Sequence, residues 1–225
     1  MLSRLDPTSR ALLGRVGQAC RDAVLRSPVL ACAGRTVGVK FLVSNFVGSV
    51  GLLAWAKENG CPWNEWTSAV AAKGGRLEVL QWAHEHHCPW DADTCLCAAA
   101  GGHLEMLRWA REHDFPWDSG TCNVAAKGGH LEVLQWAREH GCEWTQSTCI
   151  LAARGGHLEV LQWARAHDCL WLPYGMCAYA AEGGNLEVLR WVREHGCPWD
   201  SVTRALAAVH VQPEVLRWLD EHCAP

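Results

Sequence analysis

The chain has 225 residues, of which 49% are apolar and 20% charged, a composition that indicates a packed protein and excludes an intrinsically disordered one. The formal net charge is −4, and the absence of a net positive charge argues against nucleic acid as a partner. No apolar run approaches the roughly 18 residues of a membrane span, and the N-terminus lacks a signal-peptide core, so we expect no membrane association and a cytoplasmic or nuclear location.

Residues 1–46 match no later part of the chain, and we interpret them as a helical cap that shields one end of a repeat array. An alternative comes from Leu5-Asp6-Pro7 followed by Leu12-Leu13, Val16 and Ala19-Cys20-Arg21. This stretch resembles the second half of an F-box, the helical module that docks substrate receptors onto ubiquitin ligases. The resemblance implies a truncated docking module and, for the whole chain, a substrate-recognition subunit of such a ligase.

Residues 47–225 repeat one pattern about every 27 residues. Glycine pairs begin at 74, 101, 128, 155 and 183; a degenerate copy begins at Val47-Gly48 and a truncated one at His210-Val211. Self-similarity at this period is typical of solenoids, in which each unit packs only against its neighbours. We therefore expect one continuous array over 47–225.

Each copy predicts two helices. The segment after the glycine pair, such as Leu131 to His140, spreads its apolar residues over a broad arc, as an outer helix buried on two flanks requires. The segment before the next pair, such as Gln146 to Arg154, follows a capping residue and carries only small residues on one side. The prediction is an all-α helical repeat solenoid of six inner and outer helix pairs.

Tryptophan and cysteine follow the same register. Tryptophan recurs once in the outer helix and once in the link after it, which indicates a packing device. The thirteen cysteines suggest buried free thiols, because the chain shows no export signal. The main cysteine positions fall into two repeated slots: Cys61, Cys88, Cys142, Cys169 and Cys197, and Cys95, Cys122, Cys149 and Cys177.

The string from Ala152-Ala153 through Gly155-Gly156-His157 to Leu158-Glu159-Val160-Leu161 resembles an ankyrin repeat. It recurs with small changes over 71–80, 98–107, 125–134 and 180–189. The resemblance implies stacked helix pairs that bind protein partners. The units are shorter than usual ankyrin units and lack their Thr-Pro-Leu-His tetrapeptide, so we expect the hairpin finger of that family to be shortened or absent.

Histidine and cysteine recur two residues apart at the ends of four predicted outer helices, and such ligands suit zinc. We favour a buried structural pair instead, because Phe115 takes the cysteine position in one copy and Asn59 the histidine position in another. A Cys–His nucleophile is disfavoured because the pair recurs along the array, and no phosphate or dinucleotide glycine motif is present. We expect no enzyme activity, no metal and no cofactor.

The inner-helix positions that change between copies are the predicted recognition surface. A constant framework with a variable face is typical of a modular binding scaffold, so we expect a monomer that binds a protein partner through the inner helices. Trp66 is the tryptophan that lies in neither of the two repeated tryptophan positions, and we expect it to be an interface anchor. The predicted partner-binding residues are Trp66, Lys73, Asp93, Leu96, Asn123, Lys127, Ser147, Ile150, Arg154 and Glu182.

Overall fold

A computed structural model describes residues 47–58, 63–170, 173–198, 201–210 and 212–222. The proposed cap or F-box-like segment, 1–46, lies outside these residues, as do Asn59, Cys61 and the link residues Trp171 and Trp199. By internal contacts the chain divides into two compact units, the first ending at Thr94 and the second beginning at Cys95.

Every element in the described ranges is an α-helix, which confirms the all-α repeat prediction. The first unit contains an outer helix, then an inner and outer pair, and the start of the next inner helix: α1 (Val50–Glu58), α2 (Glu65–Lys73), α3 (Leu77–Glu85) and α4 (Ala92–Ala100). The second unit continues the alternation: α5 (Leu104–Glu112), α6 (Ser119–Gly128), α7 (Leu131–Glu139), α8 (Gln146–Gly155), α9 (Leu158–Ala166), α10 (Pro173–Glu182), α11 (Leu186–Glu194), α12 (Ser201–Val209) and α13 (Pro213–His222).

The inner helices begin at the capping residues that the sequence indicates. The Asp118 side chain accepts a hydrogen bond from the Gly120 N–H at 2.8 Å and caps α6. Thr145 caps α8 in a capping box with Thr148. These side chains satisfy N–H groups that have no partner inside the helix, so α6 and α8 each have a fixed first residue.

The core of each pair is a layer of small inner-helix residues under aliphatic outer-helix residues. Cys149 and Ala152 of α8 are completely buried, as are Leu161 and Ala164 of α9. In the second unit the inner helices also pack side by side, α6 against α8 and α8 against α10. Small side chains allow this close approach, since the backbones of α8 and its neighbours have little between them.

The glycine turn joins each pair and also connects neighbouring repeats. Gly129 has the left-handed φ of 76°, which ends α6, and a Cβ at that position would overlap the ring of His157 in the next repeat. The same His157 places Nε2 3.0 Å from the Lys127 carbonyl oxygen. His130 contacts the Ala100 carbonyl oxygen in the same way at 3.1 Å. Glycine is therefore required both for the turn and for the histidine above it.

The tryptophans of the links pack against the tryptophans of the outer helices. The Trp117 ring of one link meets Trp136 of the following outer helix edge to face, with ring centroids 5.8 Å apart, and Trp144 meets Trp163 at 5.6 Å. All four rings are half-buried. These tryptophans thus cover the junction between successive repeats and do not lie in the innermost core. They pack against one another as predicted, but closer to the surface.

The histidines at the ends of the outer helices are not buried, contrary to the prediction of a buried histidine–cysteine pair. Only the cysteine of each pair is buried; Cys142 is 1% exposed, whereas His140 lies in solvent. The His140 ring stacks on Trp136 at a centroid distance of 4.2 Å, and its Nδ1 lies 2.8 Å from the Trp136 carbonyl oxygen. The histidine satisfies a carbonyl of the last helical turn, which requires access to the helix end and not burial.

Candidate partner-binding face

The ten predicted residues occupy three repeated positions on the inner helices. Trp66, Lys73 and Asp93 belong to the first unit, and the other seven belong to the second. Ordered from the start to the end of each inner helix, the first position contains Trp66, Asp93 and Ser147, the middle one Leu96, Asn123 and Ile150, and the last one Lys73, Lys127, Arg154 and Glu182.

The last position presents charged side chains at the ends of the inner helices. Lys127 and Arg154 are exposed. Arg154 Nη2 lies 2.6 Å from Glu182 Oε1, so two predicted residues on successive inner helices are brought together as an ion pair. His210 Nε2 lies 3.4 Å from the same carboxylate oxygen. The Glu182 side chain is only 11% exposed, whereas those of Arg154 and His210 are 50% and 39% exposed, so the carboxylate is the buried member of this group.

The middle position is not the exposed position that its variation between copies predicts, except in the last inner helix, where Ala205 is exposed. Ala69 and Ala178 are buried at this position. Leu96 is half-buried beside Gly120, where a Cβ would come within 3.2 Å of Leu96 Cδ1. Asn123 is half-buried too, and its Oδ1 accepts a hydrogen bond from the Thr148 hydroxyl at 2.7 Å.

The reason is that inner helices pack side by side, so the middle residue of one helix faces the next helix. Ile150 is half-buried at the equivalent position. Leu96, Asn123 and Ile150 therefore contribute to the fit between repeats, and each offers only part of its surface to a partner.

The first position is more open. Trp66 is 37% exposed and Asp93 is exposed, both in the first unit. Ser147 is half-buried, and its N–H donates to the Thr145 capping hydroxyl at 3.2 Å. The prediction of a surface-accessible Trp66 is confirmed, although most of its area is covered by the protein.

The described cysteines are buried thiols, apart from half-buried Cys97, and at Cys88 and Cys95 burial disfavours the thiolate. Burial raises the pKa of Cys95 to about 12, and it also raises the pKa of Cys88. In the pair formed by Cys122 and Cys142, a hydrogen bond between the thiols raises the pKa of Cys122, with burial as the second cause, and the same hydrogen bond lowers the pKa of Cys142. Thiols of this kind behave as small apolar residues rather than nucleophiles. In the described part of the chain, no group of three or more His, Cys, Asp or Glu residues is arranged to hold a metal ion.

Two kinds of residue near this face have roles that their sequence positions do not reveal. His210 appeared only as the start of a truncated copy, and its place beside Glu182 depends on the packing of α10 and α12. His130 and His157 directly follow the glycine pairs, and their side chains reach backbone carbonyls about thirty residues earlier. The constant Gly-Gly-His spacing is the sequence feature that could have indicated a shared role for these histidines.

The fold has a counterpart among solved structures. The chain is similar to the human ASB11 ankyrin repeat domain, with a TM-score of 0.55 and 16% sequence identity, over 70% of this chain and 84% of that one. No family model matches the sequence. No curated protein matches it either. At this level of identity the likeness concerns the fold, and the protein is an all-helical repeat protein with ankyrin-like repeats.

The described helices include none that combines the length and the apolar character needed to cross a membrane.

Proposed function

We propose that the protein is a scaffold that binds a partner protein through the inner-helix face of its second unit, chiefly through the exposed ends of α6 and α8. The observation that carries the proposal is the contrast within each inner helix. Thr148, Cys149, Ala152 and Ala153 are fully buried framework, while the last position of successive inner helices varies and exposes Lys127 on α6 and Arg154 on α8. The ankyrin-like fold, a repeat scaffold for protein interaction, supports this assignment.

The charges on this face define what a partner must offer. Lys127 and Arg154 bring two cations to neighbouring inner helices, and Glu182 with His210 bounds them on the next two. A partner with carboxylates opposite Lys127 and Arg154 is complementary. Such contacts at an exposed rim act on association rate and specificity more than on buried contact energy.

The test compares two double charge reversals. Lys127→Glu with Arg154→Glu alters the inner face; Arg108→Glu with Arg217→Glu alters exposed outer-helix residues by the same net charge. The pairs are matched further because Arg108 and Arg154 each lose one ion pair, Arg108 with Glu105 at 3.2 Å. A partner captured from the native cell and identified is then titrated calorimetrically against each variant.

The inner-face pair is expected to weaken binding about tenfold or more, mainly through the association rate, with the outer pair near wild type. Equal or greater weakening by the outer-helix pair would place the binding surface on the other side of the repeats. Circular dichroism of both variants checks that the helices are retained.

A further inference from the structure

The last described inner helix, α12, exposes apolar side chains on the inner face. Val202 and Val209 are 50% and 72% exposed, and Ala205 between them is exposed as well. The three residues are three and four positions apart, so they lie on one side of the helix. The surface of α12 therefore differs in chemistry from the charged ends of α6 and α8.

The exposure of Val209 belongs to its position in the repeat. Val209 occupies the last position of its inner helix, as Lys127 and Arg154 do on α6 and α8. Both of these residues are exposed although another inner helix packs beyond each of them. The last position thus stays open within the array. A valine that is mostly exposed there gains little from folding, so its apolar surface is available to a partner.

Along the second unit the last position changes from cationic to apolar. The helices α6, α8, α10 and α12 pack side by side in this order. Lys127 and Arg154 are the cations on α6 and α8, and Val209 is the apolar residue on α12. Between them, on α10, the Glu182 carboxylate is largely covered and paired with Arg154 at 2.6 Å. Glu182 therefore separates the cationic region from the apolar one.

We propose that the partner binds through one extended segment that carries two carboxylates and, farther along, a bulky apolar side chain. This inference rests on the function proposed above and specifies the chemistry of the partner. The carboxylates lie opposite Lys127 and Arg154, and the apolar side chain lies on Val202 and Val209. The segment crosses the four inner helices, so its residues follow the change in chemistry along the face.

The packing of the helices sets the spacing within this segment. Packed helices lie about 8–10 Å apart, and an extended chain advances about 3.3 Å per residue. One helix separates Arg154 from Lys127, so the two carboxylates should be about three residues apart. Two helix spacings separate Arg154 from Val209, so the apolar residue should be about five or six residues from the nearer carboxylate.

The first probe is a library of random twelve-residue peptides displayed on phage and selected on the full chain. Enriched peptides are expected to contain two acidic residues and one bulky apolar residue at these spacings. Selection on a Val202→Thr/Val209→Thr variant is expected to lose the apolar preference and keep the acidic one. Selection on Lys127→Glu/Arg154→Glu is expected to lose the acidic preference.

One enriched peptide, labelled with fluorescein, is then titrated against the full chain by fluorescence anisotropy. The valine double variant keeps the branched side-chain shape and a similar helix propensity, but it replaces two exposed methyl groups by hydroxyls. It is expected to raise the dissociation constant about tenfold, because apolar contact with the peptide is lost. Leu170→Thr removes exposed apolar surface after α9 and is the control, with unchanged affinity expected.

A double-mutant cycle tests whether the valines and the apolar residue of the peptide are in contact. Serine at that residue of the peptide is expected to weaken binding to the wild-type chain about tenfold and to the valine variant less than threefold. Equal weakening of both complexes would show that the two groups do not meet. Circular dichroism of each variant checks that the helices are retained.

The outcomes separate this inference from the proposed function. An acidic preference without an apolar one, or undiminished binding by the valine variant, would overturn the inference and leave the charged face as the binding surface. Enriched peptides that bind Lys127→Glu/Arg154→Glu as tightly as the wild-type chain would contradict the proposed function itself. A library that yields no enriched peptide would also overturn the inference, because twelve residues are enough to make every contact that it requires.

Discussion

Alanine substitution of Gly129 tests the dual role of the glycine turn, with Gly141 as a matched control. Both glycines have left-handed backbones, with φ of 76° and 83°. A Cβ at Gly141 meets no heavy atom within 4 Å, whereas a Cβ at Gly129 overlaps the His157 ring. The Gly141→Ala variant therefore measures backbone strain alone, about 1–2 kcal/mol.

Gly129→Ala has the same strain and an additional term. The new methyl group displaces His157, whose Nε2 contact with the Lys127 carbonyl oxygen spans 3.0 Å between two repeats. Losing that hydrogen bond and the ring's packing on the glycine adds about 1–2 kcal/mol, so we expect a total of about 2–4 kcal/mol. Urea unfolding followed by circular dichroism measures both variants.

The double variant Gly129→Ala/His157→Ala completes the thermodynamic cycle. With the ring removed, the methyl group at 129 has nothing to displace, so the double variant is expected to be more stable than the sum of the two single effects predicts. Equal destabilisation by Gly129→Ala and Gly141→Ala, or strict additivity in the cycle, would show that the histidine does not restrict this glycine.

Three further outcomes are expected. Trp136→Ala should destabilise the protein by about 2–3 kcal/mol, because the half-buried ring loses its contacts with Trp117 and His140, whereas Leu134→Ala, at a fully buried position, should destabilise it by about 3–5 kcal/mol. Urea midpoints that reverse this order would contradict the half-buried position of the tryptophans. The raised pKa of Cys95 stabilises the folded protein fully below pH 9, and this contribution is lost as the pH rises from 9 towards 12, so the urea midpoint should fall over that range. Alkylation of the folded protein at pH 8 should be slow, because the buried thiol is not ionised. Chelator should leave the thermal unfolding temperature unchanged, and stoichiometric zinc released with loss of helicity would refute this.

Much of the fold could be predicted from the sequence because the repeat makes local signals recur in phase. The glycine pairs, capping residues such as Asp118, and small residues such as Ala152 and Ala153 act within one or two helical turns of their own position. Each has the same effect whatever the neighbouring repeat does. The number of helix pairs, their order and the buried thiols followed from these signals.

Less of the candidate site could be predicted, because its residues are defined by packing between repeats. Leu96, Asn123 and Ile150 occupy an inner-helix position that differs between the copies, and this variation predicted that they lie on an exposed face. Side-by-side packing of the inner helices half-buries them instead, and the Thr148 hydroxyl engages Asn123 from the next helix. Variation between copies identifies residues outside the shared framework, but it does not distinguish solvent from a neighbouring helix.

The sequence by itself determined the 27-residue unit, its two helices and the buried small-residue layer, since hydrophobic periodicity and capping act over a few residues. Only the tertiary structure decided that His140 is exposed on Trp136 and that Arg154, Glu182 and His210 form one charged group. Packing between helices fixes both features. Periodicity places equivalent residues in equivalent settings, but the distances and exposed area between those residues exist only once the helices are packed.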